Sequence, residues 1–438
     1  MKKIRNNLLT TASLNVFTYL IPLVVTPYFL RIAGTENFAL INIAQSIVQY
    51  LVLFVGYNLD ASVAGEVAIN KNDKQQLQRV YWLTSYARLV LLLVATLIYG
   101  FILLFFKINK QDVSLLNLNY LGLIGYAITP LWFYQGMEKF LELFLCVAFG
   151  KILFAVIVFT CIKHPADYWY YTLGLSLSQV VSGLLLFIYP LFKYKFAFVS
   201  VPLKEVIAFL KQKFLLFKGG TMVNFCMNIN VTLLSTVLPL HDFGLYMAAN
   251  KLMLVVFTLV TLPLNQSLYP SISRAVTENA ALAIAKIKQL VVPGVTYMAL
   301  AVCLGLFLFS KLLILLMLGD KFAEAEVLFR LMLFSLVANV LSNVVNLQLF
   351  IKLNLYKAYA RITQSSAVAG VLITLLFAFL FGVKGAALAW LVSEFFLFSF
   401  SAYQLRLAGI YIFQGQALNP KAVVGYLASN KPLFFRKS

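Results

Sequence analysis

Twelve stretches long and apolar enough to cross a bilayer follow one another along this chain, and several carry a polar stripe or a basic residue at mid-span. A charge in the hydrocarbon core costs at least about 2.5–3.5 kcal/mol on insertion scales, so a chain keeps one there mainly when it lines a pathway. A membrane helix needs about 20 predominantly apolar residues. On that basis the spans fall near 8–31, 38–60, 80–106, 113–134, 140–162, 168–192, 214–239, 243–269, 289–318, 326–350, 358–382 and 384–406. The last two meet at Gly382-Val383, which makes a tight hairpin. Of 438 residues 62% are hydrophobic and 11% charged, against roughly 25% charged in soluble domains. Water is therefore not the solvent for most of this surface.

The net charge of +20 would suit nucleic acid, but the Lys and Arg residues sit mostly between spans, so no nucleic-acid partner is expected. With the N-terminus inside, 24 of the 35 fall on the inner side and 7 on the outer. That bias puts both termini in the cytoplasm. Lys2-Lys3-Ile4-Arg5 resembles the basic region of a signal peptide. The apolar run behind it reaches about Ile32, too long for a signal and without a small-residue cleavage site, which predicts a retained first span. The cysteines Cys146, Cys161, Cys226 and Cys303 lie inside spans without disulfide or zinc spacing and read as buried structural thiols. His164 and His241 are isolated in short loops, so neither a metal site nor a cofactor is expected.

The chain divides at its midpoint. Residues 1–192 form an N-terminal six-helix half and 214–406 a C-terminal one, with 407–438 as a cytoplasmic tail. Residues 193–213 interleave Lys193, Lys195, Lys204, Lys211 and Lys213 with apolar residues, as an amphipathic linker on an anionic inner leaflet would. A weak repeat supports the halves: Asn37-Phe38-Ala39-Leu40 with Ala44-Gln45 recurs 205 residues on as Asp242-Phe243-Gly244-Leu245 with Ala249-Asn250. Parallel repeats characterise transporters whose halves rock around a central site.

Helical spacing places residues i, i+3, i+4 and i+7 on one face. Span two carries Asn42, Gln45, Ser46 and Gln49 in this way, and span seven Thr221, Asn224, Asn228 and Thr232. Span ten carries Ser335, Asn339, Ser342, Asn343 and Asn346, and span one Thr11, Asn15 and Thr18 ahead of Pro22 and Pro27. One such stripe is commonly interhelical hydrogen bonding. Four, two in each half, point to a wet cavity. Arg88, Lys151, Lys251 and Glu394 lie about nine to eleven residues into their spans, near the midplane at about 1.5 Å per residue. Arg31, Asp60, Arg274 and Arg330 lie nearer span ends, where long side chains snorkel. Three deep bases against one acid favour an anion, phosphate above all. A carrier of drug cations or sodium would favour Asp and Glu. There is no G-x-x-x-x-G-K-S/T phosphate loop, no catalytic triad or paired-carboxylate arrangement, and no outer loop of substance, so chemistry on a substrate is not indicated.

Several stretches resemble the Wzx-type flippases of polysaccharide synthesis, within the multidrug/oligosaccharidyl-lipid/polysaccharide exporter superfamily. In the first pair of spans these are Pro22-Leu23, Pro27-Tyr28-Phe29-Leu30-Arg31, Gly34, Glu36-Asn37-Phe38 and Gln45. The end of span four, Pro130-Leu131-Trp132-Phe133-Tyr134-Gln135-Gly136-Met137-Glu138-Lys139, is similar to the family's Pro-x-Trp-aromatic-x-Gln-Gly-x-Glu turn. In the second half the likeness lies in Phe243-Gly244-Leu245-Tyr246 with Ala249 and Lys251, Leu268-Tyr269-Pro270-Ser271-Ile272-Ser273-Arg274, and Gly385-Ala386-Ala387-Leu388-Ala389 with Ser393-Glu394. Two departures are Ala39 where the family often has Gly, and Gly56-Tyr57-Asn58 at its usual glycine-rich end of span two.

The resemblance implies an all-α polytopic membrane protein of about 12 helices, two six-helix halves in a V-shaped bundle around a central cavity. It also implies translocation of undecaprenyl-diphosphate-linked oligosaccharide to the outer leaflet of the bacterial inner membrane, for O-antigen or capsule. Arg31, Arg88, Lys151, Lys251 and Arg274 then become candidates for the diphosphate. The polar lining falls to Asn15, Asn42, Gln45, Gln49, Asn224, Asn228, Asn339 and Asn343, and ion coupling to Asp60 or Glu394. Partners expected beyond the lipid-linked glycan are membrane lipids, the polysaccharide polymerase and the chain-length machinery. The rival readings are a cation-coupled multidrug exporter of the same fold and, from the enzyme class, a membrane polysaccharide polymerase or ligase.

Overall fold

A computed structural model describes residues 2–105 and 110–412, with side chains from residue 21 onward apart from a few positions that include Arg274. The expected tail therefore lies almost wholly outside the described residues, as do the side chains of Asn15 and Arg274. Every regular element among the described residues is helical. The first eight helices are α1 (Lys2–Gly56), α2 (Leu59–Ile69), α3 (Lys74–Phe105), α4 (Lys110–Ile128), α5 (Leu131–Gly136), α6 (Phe140–Cys161), α7 (Trp169–Lys193) and α8 (Leu203–Val237). There follow α9 (Leu240–Glu278), α10 (Ala280–Lys286), α11 (Val292–Leu308), α12 (Ser310–Met317), α13 (Ala325–Leu333), α14 (Ser335–Asn343) and α15 (Tyr356–Leu407).

Unbroken, the 52 residues of α15 would reach about 78 Å at 1.5 Å per residue, far beyond the ~30 Å hydrocarbon core. Gly382, at φ 59°, breaks it, and Gly370 packs against Ser393 across the resulting hairpin. The 55-residue α1 breaks in the same way at Gly34, φ 80°. Both positions need the left-handed region that glycine enters without cost. Among the described residues seven helices are long and apolar enough to cross a membrane, or eight if the pair Ala325–Leu333 and Ser335–Leu347, bent by 42°, is one span. The expected ninth span is interrupted, its π-helical start at Ile287–Val291 leading into α11 and its end restarting as α12. The fourth stops at Ile128, and the stretch behind it becomes α5.

The helices form two compact units that divide at Thr232/Leu233, inside α8. Residues 203–213, expected to ride on the leaflet, are the first turns of that helix. They are clamped to the first unit. Lys213 pairs with Glu66 of α2, and Arg79 of α3 with Glu205 at 2.7 Å. Just upstream, the Trp82 indole donates to the Ala197 carbonyl at 2.8 Å, while the Ala197 N–H donates to Gln78. The departure at Tyr57-Asn58 has a matching explanation. Both residues hold positive φ, 46° and 54°, a conformation that costs a non-glycine residue of order 1–3 kcal/mol. Tyr57 stacks on Phe217 of α8 at 4.2 Å, and the Asn58 amide donates to the Leu216 carbonyl, contacts glycine would lack.

The turn at 130–139 is an aromatic knot. Trp132, Phe133 and Tyr134 are at most 1% exposed and pack with Tyr81, Phe187 and Phe196. The Tyr134 hydroxyl donates to the Leu186 carbonyl. Gly136 lies against the backbone of α2, and Glu138 takes φ 57° to end the turn. In the second unit Phe243, Phe322, Phe329 and Phe350 are fully buried, and Arg330 pairs with Glu326 at 2.8 Å. The two repeat phenylalanines, Phe38 and Phe243, are both fully buried near the start of a helical arm. All four cysteines are free; Cys226 and Cys303 are buried, but Cys161 is exposed at the end of α6, which corrects its expected burial.

The closest helix packing in the first unit is α4 on α7. A Cβ on Gly125 would stand 2.5 Å from the Val180 amide nitrogen and 2.6 Å from the Gln179 carbonyl carbon. Gly125→Val should therefore push the two helices apart, at the roughly 1–3 kcal/mol that overpacking costs. A clear fall in the detergent-solubilised melting temperature is expected, while Gly100→Ala, with open space around it, should leave it unchanged.

Candidate functional site

The second arm of α1 shows two polar faces, one helical step apart. Ser46 and Tyr50 face α8: Asn228 Nδ2 donates to the Ser46 carbonyl at 2.8 Å, the Thr232 hydroxyl lies 3.3 Å from Ser46 Oγ, and Tyr50 and Thr232 share a hydrogen bond of 2.9 Å. Asn228 and Thr232 of the α8 stripe thus form an interhelical zipper with α1. Asn42 leaves the expected lining, since it is 3% exposed and donates to Phe38 on its own helix. Gln45 and Gln49 point the other way. Together with Asn119, Gly122 and Tyr126 of α4 and Ser176 and Gln179 of α7 they line a cavity of about 400 Å³ inside the first unit. The α4 and α7 groups were missed by the sequence reading, although Ser176 and Gln179 stand at helical spacing.

Behind Tyr126 lies the first unit's buried charge. Arg88 of α3 is 2% exposed; its Nη2 sits 2.6 Å from Asp60 Oδ1, and its Nη1 donates to the Thr129 carbonyl. Its guanidinium carbon lies 5.4 Å from the Tyr126 ring centre, and the Tyr126 hydroxyl donates to Asp60 Oδ2 at 3.4 Å. The placement follows helix electrostatics. Asp60 occupies the first turn of α2, where negative charge is favoured, and Arg88 meets the carbonyl end of α4, where positive charge is favoured. Arg88 was expected to meet substrate and Asp60 to carry a coupling ion. The structure makes each the other's counter-ion. On its far side Arg88 borders a second, apolar cavity of about 260 Å³ walled by Trp82, Leu89, Phe187 and Phe198.

Arg31 is exposed, three residues before the Gly34 break. Lys151, half-buried on α6, makes no ion pair or hydrogen bond among the described residues. Neither lines the cavities above. Lys251 is half-buried on α9 in the second unit, and Asn224 is exposed on α8. In the second unit Asn339 donates to Glu394 Oε2 at 3.2 Å, and among the described residues no cation pairs with that carboxylate. Asn343 is half-buried on α14 nearby in sequence, while the neighbouring Asn346 accepts from Ser401. Among the described residues no group of His, Cys, Asp and Glu could hold a metal.

An apolar helical array, breaks that set its hairpins, and buried polar and ionic groups together define an all-helical polytopic membrane protein. Residues 4–276 match the family described as "Polysaccharide biosynthesis protein", and the chain belongs to that family. It is 25% identical over 398 residues to the "Putative O-antigen transporter" of Escherichia coli K12, covering 89% of this chain and 94% of that one. A protein of the same name from Shigella dysenteriae is 24% identical over 396 residues, covering 89% and 97%. The fold is similar to that of the lipid II flippase MurJ, a structure solved in an inward closed conformation, with a TM-score of 0.70 at 13% identity over 96% of this chain and 91% of that one. An inward-facing multidrug resistance MATE transporter of the MOP superfamily gives a TM-score of 0.68 at 14% identity, covering 89% and 95%.

Removing one partner of a buried ion pair costs about 3–5 kcal/mol, because the other charge is left uncompensated. Arg88→Met alone should lower the melting temperature and the amount of protein in the membrane. Arg88→Met combined with Asp60→Asn should recover much of both. Undiminished stability in Arg88→Met with transport lost would instead return Arg88 to the substrate.

Proposed function

We propose that the protein is a flippase that moves an undecaprenyl-diphosphate-linked oligosaccharide from the cytoplasmic to the outer leaflet of the bacterial inner membrane, for O-antigen or capsule assembly. The observation that carries this reading is the match, over nearly the full length of both chains, to two proteins named as O-antigen transporters. The multidrug rival shares the fold, but its cationic substrates suit acidic deep groups, and here Asp60 is neutralised by Arg88. A polymerase or ligase is disfavoured by the family.

In the proposed mechanism the two units alternate access to either side, both termini staying cytoplasmic. Arg31, Lys151, Lys251 and Arg274 attract the diphosphate, and the lipid tail remains in the bilayer. An inside-negative potential favours outward movement of an anion by about 2.3 kcal/mol per charge per 100 mV, so ATP is not required. If an ion couples, Glu394 is its acidic candidate, because no described cation pairs with it as Arg88 pairs with Asp60. The polymerase and chain-length machinery are the proposed partners downstream.

The test is transbilayer movement in proteoliposomes carrying the purified protein and the lipid-linked oligosaccharide in the inner leaflet. Exposure of the glycan to an added, impermeant glycan-modifying reagent should rise with time, and Lys251→Ala should slow it at least tenfold while Cys161→Ala leaves it unchanged. Protein-free rates with the wild type would defeat the proposal.

A further inference from the structure

The cavity in the first unit has a chemistry of its own. Its polar groups are the carboxamides of Gln45, Gln49, Asn119 and Gln179, the Ser176 hydroxyl and Tyr126, with no Asp, Glu, Lys, Arg or His among its walls. An ion entering it would meet no opposite charge on its walls. The nearest charges, Asp60 and Arg88, lie behind Tyr126 and are already paired. Asn119 spends one N–H on the Leu115 carbonyl, leaving its other N–H and its oxygen. Gln45, Gln49 and Gln179 make no hydrogen bond to any described residue. Each carboxamide offers two donors and one acceptor oxygen with two lone pairs. Three of them unspent in one cavity match a ligand whose groups both donate and accept. A volume of about 400 Å³ lies within the roughly 300–1,000 Å³ of small-molecule sites.

The walls are also held in place. Gly122 and Gly125 bring α4 against α7 at Ser176 and at the Gln179–Val180 backbone, and the zipper of Ser46 and Tyr50 to α8 fixes the opposite face of α1. Gln45 and Gln49 both line the cavity from one face of α1, at i and i+4.

From this geometry we infer that the first unit contains a subsite for an uncharged sugar residue of the lipid-linked oligosaccharide, read by Gln45, Gln49, Gln179, Asn119 and Ser176 and separate from the basic residues that attract the diphosphate. The inference rests on the flippase reading above. It divides recognition: the cations bind what every undecaprenyl-diphosphate lipid shares, and the amides bind what the glycan adds.

The test measures binding to the full chain in lipid nanodiscs by native mass spectrometry with three probes: undecaprenyl diphosphate, the lipid-linked oligosaccharide extracted from the host, and the free oligosaccharide released from it by mild acid. The wild type should bind the glycan-bearing lipid at least tenfold more tightly than the bare one. Gln45→Leu combined with Gln179→Leu should erase that ratio while changing bare-lipid affinity less than twofold and leaving the melting temperature unaltered. A ratio that survives in the double variant, or equal binding of both lipids by the wild type, overturns the subsite and leaves the flippase reading standing. Binding of the free oligosaccharide as tight as that of the lipid-linked form overturns the assignment to a lipid-borne sugar. Failure of the wild type to bind either lipid overturns both readings.

Discussion

The ion pair between Arg88 and Asp60 holds three helices of the first unit in register. It ties α3 to the start of α2 and, through the Thr129 carbonyl, to the end of α4. A charge at 2% exposure is tolerated only with a partner and filled hydrogen bonds. Here Asp60 and the Thr129 carbonyl take the two Nη groups, while Nε is buried without a partner among the described residues. The consequence reaches the cavity, because Tyr126, which carries its floor, is fixed between the same two charges. With the charges matched to each other, the space in front of Tyr126 is polar but uncharged.

The second organising feature is the placement of unlike groups on neighbouring faces of one helix. Residues 45 and 49 meet α4 and α7, while 46 and 50 meet α8. One residue is about 100° of helix rotation, enough to separate a structural seam from a cavity wall. The Tyr57-Asn58 corner, the Lys213–Glu66 pair and the Arg79–Glu205 pair extend the seam downward. All but the last five residues of α8 thus belong to the first unit, and the chain passes between units near the end of that helix.

Much of the architecture was legible in the sequence because lipid imposes simple rules: apolar length marked membrane-crossing helices, although those that qualify among the described residues number seven or eight rather than twelve, and Gly382 marked the hairpin of α15. The deep arginine was visible, but its role was not, since Asp60 lies 28 residues away and no helical spacing joins the two. The polar stripes were read as one face each. Periodicity reports direction around a helix but not what the neighbour offers: Asn42 bonds its own helix backbone, and Asn228 the backbone of a neighbouring helix. The basic segment 193–213 has the charge pattern of a leaflet-bound helix, and only tertiary pairing with Glu66 and α3 distinguishes a clamp from such a helix. The motif at 130–139 resembled the family's turn, and the chain belongs to the matched family; its Trp132, Phe133 and Tyr134 form an aromatic core.

The central claim is that lipid-linked glycan changes leaflet through this protein. The most direct measurement is made in the native host, by depleting the protein while leaving the glycan-assembly enzymes intact and locating the lipid-linked oligosaccharide by its access to an impermeant glycan-modifying reagent. The account requires that it accumulate in the inner leaflet, with surface polymer lost. Unpolymerised repeat units reaching the outer leaflet would contradict it, and would place the protein after translocation.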